Sequence, residues 1–421
     1  MSRLHHLVPA LAAAAVLSAL PTLASNAVGA PAPSAPTAKQ DQPRNPVVAH
    51  RGASRVAPEE TLAAYRAAIA EGAAVLEGDV QLTRDGVPVL VHDDTLDTTT
   101  DAEQVFPDRA PWRVGDLTLA ELKQLDAGSW VNEKYAGERV PTLAEVLRLG
   151  RGRVGFNLEL KSPQNSPGVA TRLAEVLRAH GYTDDRVDRR TGMLRIAVHS
   201  RDEAALHEFA GELPYVRISW LSGGAMLDDA RLAELAPWTD AVYASPTRTS
   251  AVDVDRAHAV GLEVYSDPVD SPAQIGMALN QGYDYLVTNV PTVARRVLAG
   301  RSPGIGAGRV VIDHVLENPS GVDEQAENGE YVALRNTTAR PLDVSGYRLT
   351  DYAGNVWLTT GDDAVIGAGG LFKVYVNSGT DRPDAHYNGH PKGIFDNAGG
   401  DTVYLLDEDQ RLLDVASYLR P

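Results

Sequence analysis

The chain has 421 residues, enough for two or three domains that each bury a core of their own. Its 43% hydrophobic and 23% charged residues fit an ordinary folded protein and exclude a disordered or collagen-like chain. Cys is absent, which removes disulfides, Cys-ligated zinc, iron-sulfur clusters and thiol nucleophiles, and a formal charge of −17 disfavours nucleic-acid binding through bulk electrostatics.

The first thirty residues combine a basic start at Arg3, an apolar run from Leu7 to Leu20 and small-residue sites at Ala24, Ala27 and Ala30, the pattern of a secretory signal peptide. The run reaches only about 21 Å as a helix, short of a hydrocarbon core of about 30 Å, so a transmembrane anchor is not expected. Export, with the mature protein outside the cell, is the expectation. Residues 31–46 hold Pro31, Pro33, Pro36, Pro43 and Pro46 among small and polar residues and read as an extended linker.

From Val47 to Gly300, short apolar runs alternate with amphipathic stretches, the signature of repeated strand-helix units on a parallel sheet. Strands are expected at Val47 to Ala49, Val75 to Val80, Pro88 to Val91, Val154 to Leu160, Leu194 to Val198, Tyr215 to Trp220, Ala241 to Ala244, Leu262 to Tyr265 and Tyr285 to Val287. Helices fit Thr61 to Glu71, Gly168 to His180, Asp202 to Phe209 and Pro272 to Gln281. Nine strands compete for eight places in a closed barrel, and the turn Thr83-Arg84-Asp85-Gly86 marks where one returns antiparallel. A span of about 250 residues is the usual size of a (β/α)8 TIM-type barrel, so the expected class is α/β with that architecture over residues 47–300.

A Gly/Pro-rich linker at residues 301–308 is followed by short β-prone runs at Val310 to Val315, Tyr331 to Arg335, Leu371 to Val376 and Thr402 to Leu406. Residues 309–421 therefore read as an all-β sandwich. This part is acidic, with 18 Asp and Glu against 9 Lys and Arg from residue 305 onward. Trp357, Tyr347 and Phe372 read as core, and Asp396 to Asp401 as an Asn/Gly turn rather than a Ca²⁺ loop.

Barrel enzymes place reacting groups at the C-terminal ends of strands. There the chain has His50 and Arg51, Glu77 and Asp79, His92, and Glu159 with Lys161. Residues two apart on a strand share a face, so Glu77 and Asp79 aim together, as do Glu159 and Lys161. Three converging carboxylates repel unless a cation lies between them, and an all-oxygen set with no Cys suits one hard divalent ion, Ca²⁺ or Mg²⁺. His50 and His92 supply imidazoles for acid-base chemistry near neutral pH, and Arg51 and Lys161 fixed positive charge for a phosphoryl group. Only six of the 39 basic residues are Lys, which makes Lys161 at a strand end unusual.

The segments His50-Arg51-Gly52-Ala53, Pro58-Glu59-Glu60-Thr61, Leu76 to Gly86, Val91 to Asp97, Glu159-Leu160-Lys161 and Thr288-Asn289-Val290-Pro291 together resemble the glycerophosphodiester phosphodiesterase family over about Val47 to Gly300. The resemblance implies hydrolysis of glycerophosphodiesters to glycerol 3-phosphate and an alcohol, with His50 and His92 as the acid-base pair. It further implies a divalent metal at Glu77, Asp79 and Glu159, and Arg51 and Lys161 on the phosphate. Two positions depart from the family: Glu60 stands where Asn is common, and Tyr265 where an aromatic, usually Trp, contacts substrate. Glu59 is read as orienting His50 or starting a helix, and His199 as a lesser candidate for the pocket. Residues 332–336, 342–351 and 401–407 resemble the lamin-tail domain, an immunoglobulin-like sandwich appended to many secreted enzymes. The rival readings are a phospholipase or a polyglycerol phosphate phosphodiesterase on the same barrel, and a non-catalytic secreted binding module acting through the sandwich. A small phosphodiester is the expected partner and nucleic acid is not; the partner of the C-terminal domain is open.

Overall fold

Among the strands buried at every position, two carry the carboxylates of the sequence pattern: Val75–Leu82 (β2) and Gly155–Leu160 (β4). Strands covered on both faces need helices on one side and a closed interior on the other, and the chain supplies both. The computed structural model describes residues 45–183, 195–301, 309–317, 329–351, 357–395 and 401–418. The expected signal peptide, most of the Pro-rich stretch, the 302–308 linker and the turn from Asp396 to residue 400 lie outside the described residues.

Eight parallel strands form the barrel. In sheet order they are Glu263–Ser266 (β8), Ala241–Ala244 (β7), Arg217–Trp220 (β6), Ile196–Ser200 (β5), β4, β2, Val47–Ala49 (β1) and Leu286–Thr288 (β9). A parallel bridge between Tyr265 and Tyr285 joins the two ends of the series. Pro88–Leu90 (β3) returns antiparallel on β2, with Val80 opposite Leu90, so the turn at Thr83 to Gly86 takes one candidate out of the ring.

Helices follow the strands, and most of those described start on side-chain caps. Leu62–Ala70 (α1) begins where the Thr61 hydroxyl accepts the Ala64 N–H, and Leu143–Gly150 (α2) and Pro272–Gln281 (α3) carry Thr142/Glu145 and Ser271/Gln274 capping boxes. Gly52, at φ +85°, allows the loop after β1 to lie on α1; a Cβ there would stand 2.7 Å from Ala64 backbone and side-chain carbon. Between β3 and α2, residues 91–141 make an insertion with its own small core of Val91, Leu96, Leu117, Leu122 and Leu125 on Val89.

The C-terminal sandwich pairs a sheet of Val310–Leu316 (β10), Tyr331–Asn336 (β11), Leu371–Tyr375 (β16) and Ala385–Tyr387 (β17) with a second of Trp357–Thr359 (β14), Arg348–Thr350 (β13), Asp401–Leu406 (β18) and Leu412–Tyr418 (β19). A short pair, Leu342–Asp343 (β12) with Val365–Ile366 (β15), completes it. Phe372 is in the sandwich core, as expected, and Tyr347 packs on its edge. Trp357 is not: it packs against the barrel's cluster with the Arg348 guanidinium 4.3 Å above its ring. Strand β18 shows why. Val403 and Leu405 point into the sandwich core, while Tyr404 and Leu406 on the other face belong to the barrel's hydrophobic cluster, together with Leu412 and Val415 of β19.

Candidate active site

The strand ends place the charged residues of the sequence pattern in one cluster. Alternation along β2 turns Glu77 and Asp79 inward, while Gly78 between them faces α1, where a Cβ would run into the Tyr65 hydroxyl. In β4, Asp79 is in register with Glu159 and Glu77 with Asn157. Glu77 accepts the Arg51 backbone N–H at 2.8 Å. The Arg51 guanidinium, lying over the site at φ +56°, reaches Glu59 at 3.2 Å and Asp79 at 3.4 Å. Lys161 Nζ is 3.3 Å from Asp79 and 3.6 Å from Glu159. Glu59 thus steadies Arg51, not His50.

His199 enters this cluster. At the end of β5, level with Glu159, its Nε2 is 3.7 Å from Glu77 and 3.8 Å from Glu159, while Nδ1 is 3.1 Å from Asn157 Oδ1. Donation from Nδ1 to Asn157 leaves the Nε2 lone pair facing two carboxylates. Burial holds the imidazole neutral, with its pKa down at about 3. Among the described residues, Glu77, Glu159 and His199 offer donor atoms within 4.8 Å of one another.

Burial, reinforced by the Asp79 charge, pushes Glu77 up and Glu159 to about 8. Asp79 goes the other way: burial opposes its ionisation, but Lys161 and Arg51 outweigh it and hold the carboxyl well below the usual range. Both Asp79 oxygens are nevertheless buried without a hydrogen-bond donor. A lone pair aimed at carboxylates, two carboxyls pushed up by each other's neighbourhood and two orphaned Asp79 oxygens are the features a bound cation would satisfy, so the residues present fit a divalent metal.

The two expected catalytic histidines flank the cluster, each tied through Nδ1. His50 Nδ1 is 2.8 Å from Asn289 Oδ1, and His92 Nδ1 is 2.7 Å from Asp93 Oδ1. Burial and the neighbouring Arg51 charge lower the His50 pKa well below its ordinary value. Donation from His92, with Thr98 behind it, takes Asp93 down to about 2. His92 lines a small cleft with Glu59, Glu60, Val91, Thr99 and Ala127. Glu60 is buried at φ +59°, taking a hydrogen bond from Tyr65 and the Asp79 N–H at 2.8 Å. An Asn would tolerate that backbone conformation better than Glu.

Tyr265 is the exception. Instead of standing at the mouth, it is 3% exposed inside the barrel, stacked between Tyr243 at 4.9 Å and Tyr285 at 4.0 Å. The strand runs on to Ser266, so Tyr265 lies one layer below the rim, near Arg217 and Glu263. Asn289, Asp93 and Asn157 orient the histidines and were not singled out from the sequence, although Asn289 and Asp93 lie inside the quoted segments.

A model of the Glycerophosphoryl diester phosphodiesterase family matches residues 50–293, more than half of the chain. The chain belongs to that family. A glycerophosphodiester phosphodiesterase of Bacillus subtilis is 34% identical over 267 residues, covering 60% of this chain and 86% of its own length. One from Caldanaerobacter subterraneus is 31% identical over 249 residues, 58% of this chain and 94% of its own. An Oleispira antarctica phosphodiesterase, solved with the product sn-glycerol-3-phosphate, superposes with a TM-score of 0.53 at 30% identity, over 61% of this chain and 97% of its own. The Lamin Tail Domain model matches residues 304–420. The chain is thus a phosphodiesterase of the (β/α)8 class with a lamin-tail domain behind it.

Proposed function

We propose that the chain hydrolyses glycerophosphodiesters to glycerol 3-phosphate and an alcohol by acid-base catalysis with His50 and His92. The observation that carries this reading is the pair of imidazoles, each tied through Nδ1, beside a cluster of three carboxylates and two cations.

With Nδ1–H donated to Asn289, His50 keeps its Nε2 lone pair, and its lowered pKa keeps the ring neutral at working pH. It is the base, taking the proton of the attacking oxygen on Nε2. His92 is the acid: the Asp93 carboxylate on Nδ1 supports an imidazolium, which gives its Nε2 proton to the leaving alkoxide. Arg51 and Lys161, both partly open to solvent, hold the phosphoryl oxygens and oppose the charge that builds on them. Glu77, Asp79 and Glu159, with His199 beside them, would hold one divalent ion, Ca²⁺ or Mg²⁺. When bound, that ion supplies Lewis-acid polarisation of a phosphoryl oxygen. Glu59 keeps Arg51 extended over the pocket, and the insertion fixes Asp93 through Thr98.

Export through residues 1–30 is part of the proposal; N-terminal sequencing of secreted material should begin after Ala24, Ala27 or Ala30, and a start at Met1 would refute it. The test of the reaction is release of glycerol 3-phosphate from glycerophosphocholine. EDTA should abolish it, Ca²⁺ or Mg²⁺ should restore it, and His50→Ala and His92→Ala should each lose about 10²- to 10⁴-fold in kcat. Full activity in either variant would overturn its assigned role, and no release with any metal would overturn the substrate.

A further inference from the structure

The partner that orients His50 is itself held from a distance. Asn289 Oδ1 receives His50 Nδ1 and, at 2.7 Å, the Ser54 hydroxyl. Its Nδ2 donates to Asp270 Oδ2 at 2.6 Å and its backbone N–H to Asp270 Oδ1 at 2.7 Å, with Thr288 Oγ1 on the same oxygen at 3.0 Å. Asp270 is fully buried, so it needs a countercharge, and Arg55 brings it at 3.2 Å. Arg55 comes from the loop that starts with His50 and Arg51, and it too is buried.

The C-terminal sandwich meets Arg55 as well. Its guanidinium carbon lies 5.2 Å from the centre of the Tyr404 ring on β18, and Asp351 at the end of β13 contributes a further attractive charge. Tyr404 is fully buried, on the β18 face turned towards the barrel. A desolvated cation under an aromatic face is the geometry in which that contact is strongest. The series therefore runs from a sandwich strand to a barrel imidazole through Tyr404, Arg55, Asp270, Asn289 and His50.

We propose that Arg55 and Tyr404 are positioning residues through which the lamin-tail sandwich sets the orientation of His50, so that the barrel's active site is completed by the C-terminal domain. Arg55 neutralises Asp270, Asp270 fixes the Asn289 amide with its oxygen towards His50, and that amide holds the imidazole with Nε2 towards the substrate. Tyr404 seals the far side of Arg55 from water. This rests on the reading of His50 as the base.

The experiment uses the full chain with saturating metal. Arg55→Met and Tyr404→Leu should each lower kcat for glycerophosphocholine by about 10- to 100-fold, the loss expected from a displaced base, with KM changed less than twofold. Tyr404→Phe keeps the ring and should keep kcat. Arg348→Met loosens the same interface elsewhere, at Trp357 and the Val131 carbonyl, and should lower the melting temperature while leaving kcat intact. The double variant Arg55→Met/Tyr404→Leu should be no slower than Arg55→Met alone, since both act on one chain of contacts. The proposal is overturned if Tyr404→Leu keeps wild-type kcat. It is equally overturned if Arg348→Met slows turnover as much as Tyr404→Leu at matched stability, because the sandwich then acts only as a brace. His50→Ala measured alongside separates the two readings: activity surviving in that variant removes the base assignment, whatever the Arg55 and Tyr404 variants do.

Discussion

At the scale of single residues, the site balances charges that would not coexist in isolation. Asp93 is ionised with its carboxyl at about 2, so Asp93→Asn keeps the shape but removes the support for a protonated His92. Its kcat should fall by about 10²-fold or more with a folded protein by circular dichroism; unchanged turnover would take Asp93 out of the acid's machinery. Glu159 carries a pH dependence of the opposite kind. Its folded value of about 8 stands above the ordinary 4.5, so the metal-free fold prefers the protonated acid and loses stability as pH rises from about 4.5 through about 8. His199, at about 3 instead of 6.5, does the reverse, losing stability as pH falls through that lower window. Comparison with Glu159→Gln isolates the first effect. Between pH 5 and 8 the metal-free parent should lose more in Tm than the variant, and Ca²⁺ should bind the parent more tightly at pH 8 than at pH 6, because binding displaces the Glu159 proton. A parent and variant with parallel Tm curves would contradict this.

At the scale of elements, much was readable because strands and caps leave local marks. The expected barrel strands match the observed ones to within two residues over the described span, and the Thr83–Gly86 turn does return β3 antiparallel. The pairing of Glu77 with Asp79 and of Glu159 with Lys161 followed from the two-residue period. Three things were legible only in part. Tyr265 fell below the rim because a strand's last residue decides which layer is the mouth, and the strand ended one residue later than expected, at Ser266. His199, a lesser candidate for the pocket from its strand-end position, joins the carboxylates through the register of β5 on β4, which the sequence does not give. Trp357 reads as sandwich core because sequence alternation tells that a face is buried, not which body buries it. The insertion at residues 91–141 is a further element with no period of its own, yet it carries Asp93 and Thr98. Leu117, fully buried in its core, accepts the Arg84 N–H through its carbonyl. Leu117→Ala should cost about 2–5 kcal/mol in denaturant unfolding and lower kcat, since the loop holding Asp93 packs on that core; a stability loss with kcat intact would show that Asp93 is held by β3 alone.

For the whole molecule, the strand β18 makes barrel and sandwich share a core. Tyr404, Leu406, Leu412 and Val415 pack into the barrel's cluster, and the Lys134 ammonium and Arg348 guanidinium each reach a backbone carbonyl of the other body, at Asp409 and Val131. Surface hydrogen bonds of that sort add little, but buried apolar side chains on a strand common to two cores tie the unfolding of one to the other. Removing β18 from the barrel would expose Tyr404 and Leu406 and leave Arg55 and Asp270 open to water. The expected result is one heat-absorption peak in calorimetry, with equal calorimetric and van't Hoff enthalpies, in place of the two peaks of independent domains. Leu412→Asp puts an unpaired charge into the shared cluster, a cost of several kcal/mol, and should split the peak, the barrel melting apart from the sandwich. Two peaks in the unmodified chain would mean that the interface, though buried, does not couple the domains, and the sandwich could then be lost without disturbing the barrel's catalytic loop.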